Sequence, residues 1–122
     1  MALGLLGIGA CASGGQAFPM HPSDAPAAIN RAGVLISDAA AAGADSLAPE
    51  LMKSARLHYE DAQVERRGNH RDRAPMTAKL AAADAIYAKA LAQCILAERT
   101  LATEQAQLAG VPVSPPAKSA NP

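Results

Sequence analysis

The chain has 122 residues, which is the length of a single domain. Alanine dominates its apolar half, and the sequence has no Trp, one Phe and two Tyr. Since alanine forms helices readily but buries little area, this composition favours slender helices over a thick core. Eleven basic and eleven acidic side chains cancel, which removes the positive charge typical of nucleic-acid-binding proteins.

The chain opens on an uncharged apolar run over residues 1–10. This run is too short to span a bilayer as a helix, which takes about 20 apolar residues, but it is typical of a secretory signal peptide. The tetrad Ile8-Gly9-Ala10-Cys11 resembles the lipobox of bacterial lipoproteins, in which the cysteine receives a diacylglycerol. We therefore predict a lipoprotein-type signal peptide over residues 1–10 and lipidation at Cys11. The alternative is a disordered apolar N-terminus with an incidental cysteine.

The residues around the predicted lipidation site indicate a cellular location. No basic residue precedes the apolar run, so we expect the true start codon to lie upstream of Met1. Residues 11–22 are expected to form a flexible tether, and several acyl chains on Cys11 would hold it stably in a membrane. Because Ala12 is not Asp, resemblance to lipoprotein sorting favours the periplasmic face of the outer membrane of a Gram-negative bacterium.

Three helix starts organise the middle of the chain. Ser23, Ser46 and Asp72 each stand three places before a proline, and such residues cap first turns in which proline is tolerated. Gly43 and Gly68 beside Asn69, which follow the first two segments, suit left-handed C-terminal turns, and Gly110 with Pro112 ends the third. These signals predict three helices, over about 24–42, 48–67 and 74–109, in a helical domain spanning 23–109.

Apolar residues recur at helical spacing in each segment, and no strand-like alternation appears. The predicted apolar stripes are Ile29, Ala32, Ile36 and Ala39, with Leu35 beside them; Met52, Ala55, Tyr59 and Ala62; and Met76, Leu80, Ala83, Tyr87, Leu91, Cys94, Ala97, Leu101 and Leu108. Because short connections make sequential helices antiparallel neighbours, we predict an all-α fold of three antiparallel helices.

The third helix is longer than the other two. At 1.5 Å per residue it extends about 50 Å, against about 30 Å for each of the others, so it would be covered only to about Cys94. Its uncovered residues Ile95, Leu96, Leu101 and Leu108 are a candidate partner surface. We expect self-association or docking through residues 95–109, as an antiparallel helix pair; the alternative is that the helix frays or bends after Thr100.

The rest of the sequence offers few reactive groups. His58 either forms one edge of a site with Asp61 or, as we favour, is a surface histidine next to Tyr59 and Glu60. Cys94 is predicted to be a small buried hydrophobe, and a dimer disulfide is the alternative. The Pro- and Ser-rich tail, residues 110–122, is predicted to be disordered.

Basic side chains gather at the second turn of the predicted bundle. They belong to Arg66, Arg67, His70, Arg71 and Arg73. We interpret them as a solvated turn that complements the C-terminal dipole of the second helix, with contact to anionic cell-wall or lipid groups as the alternative. No phosphate-binding loop, nucleophile elbow or metal-ligand spacing occurs, so we predict no catalytic residue, no metal, no cofactor and no enzyme activity.

One connection and its flanks resemble a known family. The segment Ala42-Gly43-Ala44 followed by Leu47-Ala48-Pro49-Glu50-Leu51, the pair Ala55-Arg56 and the later Ala82-Ala83-Asp84-Ala85 are similar to domain of unknown function 4398. The resemblance covers about residues 25–103. That family consists of Ala-rich helical proteins of the Gram-negative envelope, commonly lipoproteins, so the resemblance implies a helical architecture and an envelope location but no activity.

The predicted function is therefore a non-enzymatic envelope lipoprotein, a periplasmic helical structural or interaction module. Its partners would be the membrane, through the lipid anchor, and a second copy or another envelope protein, without nucleic acid. The alternative is a small cytosolic helical adaptor that carries no lipid.

Overall fold

The computed structural model describes residues 20–110. A 3₁₀ turn at Pro22–Asp24 leads into four helices: α1 Ala25–Ala41, α2 Ala44–Leu47, α3 Pro49–Arg67 and α4 Ala74–Leu108. Between residues 20 and 110 there is no strand, so the predicted all-α class is confirmed. The predicted signal peptide, most of the tether and the tail lie outside the described residues.

The helix count differs from the prediction because the first connection is itself helical. Gly43 adopts a left-handed conformation with φ of +85°, as predicted, and its N–H donates to the carbonyl of Ala40 at 3.0 Å. The carbonyl of Gly43 then accepts the N–H groups of Ser46 and Leu47, which starts α2 at once. The prediction of three helices is therefore wrong, because the structure has a fourth, short helix, α2.

The prolines lie where the sequence places them, but the predicted side-chain caps are wrong. Pro26, Pro49 and Pro75 stand in the first turns of α1, α3 and α4. The residues at the cap positions are Asp24, Ala48 and Arg73, and none of them makes a side-chain capping hydrogen bond.

The predicted capping residues have other positions or partners. The hydroxyl of Ser46 donates backward to the carbonyl of Gly43 at 3.1 Å, while Ser23 lies inside the 3₁₀ turn and Asp72 one residue before the cap of α4. The carboxylate of Asp24 accepts the N–H of His21 at 3.1 Å and so closes the preceding turn.

The helix ends agree in part with the sequence signals. Gly110 follows the end of α4, as predicted, and is left-handed with φ of +68°. Gly68 is not: its φ is −97° and its N–H donates to the carbonyl of Val64 at 2.9 Å, so α3 ends in extended backbone. Asn69 is not left-handed either.

Alanine builds most of the core. The predicted stripes of α1 and α3 are confirmed, except that Tyr59 is only partly buried. The predicted stripe of α4 is wrong, since Met76 and Tyr87 are 56% and 63% exposed. The buried residues of α4 are Ala74, Pro75, Ala78, Ala81, Ala82, Ala85, Ala88 and Ala92.

Helix α4 packs against both α1 and α3, which explains why its small side chains face inward. Alanine at a helix–helix contact lets two backbones approach closely, whereas a row of Leu and Tyr would hold them apart. The bulk in the core comes instead from the neighbouring helices, through Ile29, Ile36 and Met52. Periodicity located the row of larger side chains on α4 but not the alanine face that packs into the bundle.

Burial on α4 ends well before the helix does. Ala92 is its last buried residue, yet the helix continues to Leu108, about 24 Å further on. Coverage therefore stops close to the predicted limit at Cys94. The helix does not end at Thr100, so the predicted fraying there is wrong.

Candidate functional site

The candidate partner surface at the end of α4 is exposed, but its four residues do not share one face. Ile95 is partly buried, and Leu96, Leu101 and Leu108 are 44%, 55% and 90% exposed. At about 100° per residue, Leu101 and Leu108 lie nearly in line, whereas Ile95 and Leu96 point to other sides. Ile95 and Leu96 therefore do not lie on the face of α4 that carries Leu101 and Leu108.

Leu101 and Leu108 belong to a longer exposed row that runs the length of α4. Large side chains recur every seven residues, at positions 80, 87, 94, 101 and 108, and alanines recur at 83, 90 and 97. With Met76 and Leu91 these residues form what we call the outer stripe: Met76, Leu80, Ala83, Tyr87, Ala90, Leu91, Cys94, Ala97, Leu101 and Leu108. Every member is exposed, and the stripe lies roughly opposite the buried alanines around the helix.

As far as Cys94, the outer stripe contains the residues of α4 that the sequence analysis expected α1 and α3 to cover. The hydrophobic surface predicted to be covered by α1 and α3 is therefore open to solvent over the whole helix, not only beyond Cys94. Cys94 itself is exposed, so its predicted burial is wrong, and its Sγ lies 3.9 Å from a Glu98 carboxylate oxygen. The predicted lipidation site, Cys11, lies outside the described residues.

A polar cluster joins α3 to α4. The Oδ2 atom of Asp84 accepts a hydrogen bond from the Ser54 hydroxyl at 2.7 Å and lies 2.9 Å from Nδ1 of His58. The His58 and Asp84 side chains are 33% and 27% exposed. The alternative that paired His58 with Asp61 is wrong, because the partner comes from the neighbouring helix, and the favoured surface histidine is in fact partly buried.

This cluster contains the residue types of a hydrolase triad in a different arrangement. Nucleophilic catalysis needs the serine hydroxyl to donate to the histidine, which then removes its proton. Here the hydroxyl of Ser54 and the ring of His58 both bind the same oxygen of Asp84. The arrangement links two helices, and the hydroxyl does not donate to the histidine as a triad requires. A sequence signal was available, since Asp84 is the one charged residue between Lys79 and Lys89.

A second contact, which the sequence analysis missed, joins α2 to α3. Arg56 donates two hydrogen bonds to the carboxylate of Asp45, at 2.6 and 3.1 Å. These hydrogen bonds from Arg56 are the main reason that the pKa of Asp45 lies below its usual value, and they raise the pKa of Arg56. Both side chains are about half exposed, so the pair is a surface clamp.

The basic cluster surrounds the connection between α3 and α4. Its five members are exposed, and among residues 20–110 none of its arginines forms a salt bridge. Arg67 donates to the carbonyl of Gln63 at 3.2 Å, near the end of α3, which is consistent with a solvated turn. Beside it, the Thr77 hydroxyl donates to Glu65 at 2.6 Å and ties the two helices together.

Metal coordination and membrane crossing are two further properties that bear on binding. No group of three or more His, Cys, Asp or Glu side chains between residues 20 and 110 is arranged to hold a metal ion. Helix α4 is long and apolar enough to cross a membrane by length and composition alone, a test that the core helix of a soluble protein also passes.

Comparison with known proteins adds no relative. No protein-family model matches the chain, and neither the curated proteins nor the solved structures contain a significant match. The similarity to domain of unknown function 4398 therefore stays a prediction.

Proposed function

We propose that the protein is a non-enzymatic envelope lipoprotein that presents α4 as a surface for protein association. The observation that carries this proposal is the extent of the outer stripe, because large exposed apolar surfaces mark association sites. Helix α4 also extends about 24 Å beyond its last buried residue, Ala92, so much of the stripe projects clear of α1 and α3.

In the proposed architecture the three long helices run antiparallel in chain order. The membership of one core cluster supports this arrangement: Ala25 and Ile29, from the start of α1, pack with Ala62 near the end of α3 and with Ala74 and Ala78 at the start of α4. Such a bundle places the exposed end of α4 opposite the connection from α3 to α4.

The proposed anchor is the lipidated Cys11, on the periplasmic face of the outer membrane. The sequence pattern over Ile8–Cys11 and the family resemblance support it. Several acyl chains, each methylene contributing about 0.8 kcal/mol, would hold the chain stably in the bilayer. Residues 11–22 would then link the membrane to the start of the helical domain.

The proposed role is association and not catalysis. It is supported by the arrangement around Asp84, where the Ser54 hydroxyl donates to the carboxylate and not to the His58 ring. The partners of such a module are a second copy of the chain or another protein of the envelope.

Metabolic labelling with radioactive palmitate, followed by membrane fractionation, tests the proposed lipidation and membrane location. The chain is expressed in a Gram-negative host with its natural upstream sequence, beside a Cys11→Ala variant and a Cys94→Ala control. We expect label and membrane location for the unaltered chain and the control, and loss of both in Cys11→Ala. An unlabelled chain among the soluble proteins contradicts the proposal and favours the cytosolic adaptor.

A further inference from the structure

We infer that the outer stripe of α4 binds the outer stripe of a second copy, with the two helices antiparallel and centred near Ala92. This inference rests on the association surface of the proposed function and names its partner. It extends that surface from the end of α4 to the whole helix.

The size of the stripe is close to what a stable interface needs. Met76, Leu80, Tyr87, Leu91, Leu101 and Leu108 are between 36% and 90% exposed. Together they present roughly 600 Å² of apolar surface per copy, to which the alanines and Cys94 add, against about 800 Å² per partner in a typical stable complex. A helix of about 50 Å in length offers this surface in one continuous strip.

The antiparallel arrangement matches large side chains to small ones. When two copies cross at residue 92, residue n of one copy lies level with residue 184 − n of the other. Leu101 is then level with Ala83, Tyr87 with Ala97 and Cys94 with Ala90 of the partner copy, while Met76 is level with Leu108 at the two ends. Each alanine leaves room for the side chain opposite it, and apolar residues at seven-residue spacing are typical of a coiled-coil contact.

The charges beside the stripe favour the same direction. Lys79 and Glu104 lie on the same flank of α4, and in the antiparallel pair each lysine comes within one residue of the level of Glu104 of the partner copy. The twofold symmetry forms this contact twice. In a parallel, in-register pair the same two residues would lie 25 positions apart along the helices, so this contact could not form.

The same arrangement accounts for the uncovered end of α4. The crossing point coincides with Ala92, where burial by α1 and α3 stops. In the pair, residues 94–108 of each copy lie along residues 76–90 of the other. Each projecting end therefore covers the outer face of the partner's bundled half, and both exposed parts of the stripe become buried in one contact.

Light scattering coupled to size-exclusion chromatography tests for the second copy. The sample is the full 122-residue chain carrying Cys11→Ser, so that no lipid is attached. We expect twice the 12.4 kDa mass of one chain, and a return to 12.4 kDa for Leu101→Glu. The matched control is Leu57→Glu on α3, because Leu57 and Leu101 are almost equally exposed, at 56% and 55%. Circular dichroism checks that both variants stay helical.

Charge exchange tests the direction of the helices. Replacing Lys79 by Glu sets it against Glu104 of the partner copy, so we expect the dimer dissociation constant to rise about threefold to tenfold in low salt. The double variant Lys79→Glu with Glu104→Lys restores the opposite charges, and its dissociation constant should return close to the original value. Failure of this restoration contradicts the antiparallel register.

Disulfide trapping gives a second measure of direction. Ala83→Cys and Leu101→Cys are combined with Cys11→Ser and Cys94→Ser, and the oxidised dimer is digested with trypsin. Because these two positions are about 27 Å apart along one helix, an 83–101 disulfide joins two chains. We expect that link, whereas 83–83 or 101–101 links would overturn the antiparallel pairing.

The outcomes separate this inference from the proposed address. A monomeric chain at high concentration overturns the pairing even when the unaltered protein takes up palmitate. A dimer with 83–101 links supports the pairing even when no palmitate is incorporated, in which case the envelope address is lost and the association is retained.

Discussion

At the scale of single residues, the Asp84 carboxylate gathers two of the polar contacts between the two longest helices. Asp84 lies in a run of alanines on α4, and a charged side chain at a partly buried position needs partners. Ser54 and His58, one turn apart on α3, both reach its Oδ2 atom. The cluster therefore fixes the position of α3 along α4, where alanine contacts alone would specify it weakly.

Removing that carboxylate should destabilise the fold. Replacing Asp84 by Ala leaves the Ser54 hydroxyl and the His58 ring without their shared partner, so we expect the free energy of unfolding to fall by about 1–3 kcal/mol. Urea denaturation followed by circular dichroism measures the change. The control is Asp61→Ala, at an exposed position of α3, with an expected change within about 0.5 kcal/mol. Equal effects of the two variants would contradict the role assigned to Asp84.

The clamp between Asp45 and Arg56 predicts a dependence on pH. Since folding lowers the pKa of Asp45, its contribution to stability is present above the ordinary aspartate pKa of about 3.9 and is lost as the pH falls through the lower, folded-state value. Thermal unfolding of the unaltered chain and of Asp45→Asn should thus show a small gap in Tm at pH 7. We expect the gap to close towards pH 3 and to shrink in high salt. A gap that widens in acid would show that the carboxylate does not act through its charge.

At the scale of elements, Gly43 separates α1 from α2 through its backbone conformation. Its φ of +85° is costly for other residues, while a Cβ atom there would meet only Leu47 Cδ1, at 3.7 Å. The restriction is therefore conformational and not steric crowding by neighbours.

Substitution of this glycine should show that cost directly. We expect Gly43→Ala to lower the free energy of unfolding by about 1–2 kcal/mol. Gly110→Ala is the matched control, because Gly110 is also left-handed but has no atom within 4 Å of an added Cβ and follows the last helix. Its backbone can change without disturbing a contact, so a change within about 0.5 kcal/mol is expected. Chemical denaturation compares them, and similar losses would contradict this account.

Helix α4 has two apolar faces. Its small residues face α1 and α3, and its large residues face solvent. We expect Ala85→Leu to destabilise the fold by about 1–3 kcal/mol, because Ala85 is fully buried between helices that cannot separate freely. The control is Ala41→Leu, at an exposed position in α1, where added bulk meets solvent. Thermal unfolding measures both, and a stable Ala85→Leu variant would show that the core has room for larger side chains.

At the scale of the whole molecule, the fold and the association surface occupy different lengths of α4. Buried contacts end at Ala92, so the residues beyond it add length to the helix without adding to the core. Folding of one copy and association of two copies are therefore separable properties.

Truncation tests that separation. A chain ending at Ala97 keeps every buried residue described in the core, so at concentrations that keep all samples monomeric its free energy of unfolding should stay within about 1 kcal/mol of the full chain. A chain ending at Asp84 loses the buried residues Ala85, Ala88 and Ala92 and should not fold cooperatively. Helical signal and denaturation curves distinguish these results, and unfolding of the longer truncation would place part of the core beyond Ala92.

The sequence alone determined the features that depend on neighbouring residues. Pro26, Pro49 and Pro75 mark first turns and Gly43 marks a helix end, because their backbone restrictions act within a few residues. Helical spacing likewise located the buried face of α1, because Ile29 and Ile36 lie on its one apolar stripe.

The tertiary structure decided what depends on distant parts of the chain. Spacing shows that apolar residues share a face, but α4 has two such faces, and only packing against α1 and α3 selected alanines for the inside and Leu80, Tyr87 and Leu101 for the outside. Close approach of backbones favours the smaller side chains, which hydrophobicity alone ranks lower. The contact of Asp84 with His58 also joins residues 26 positions apart, and local propensity carries no information about such a pair.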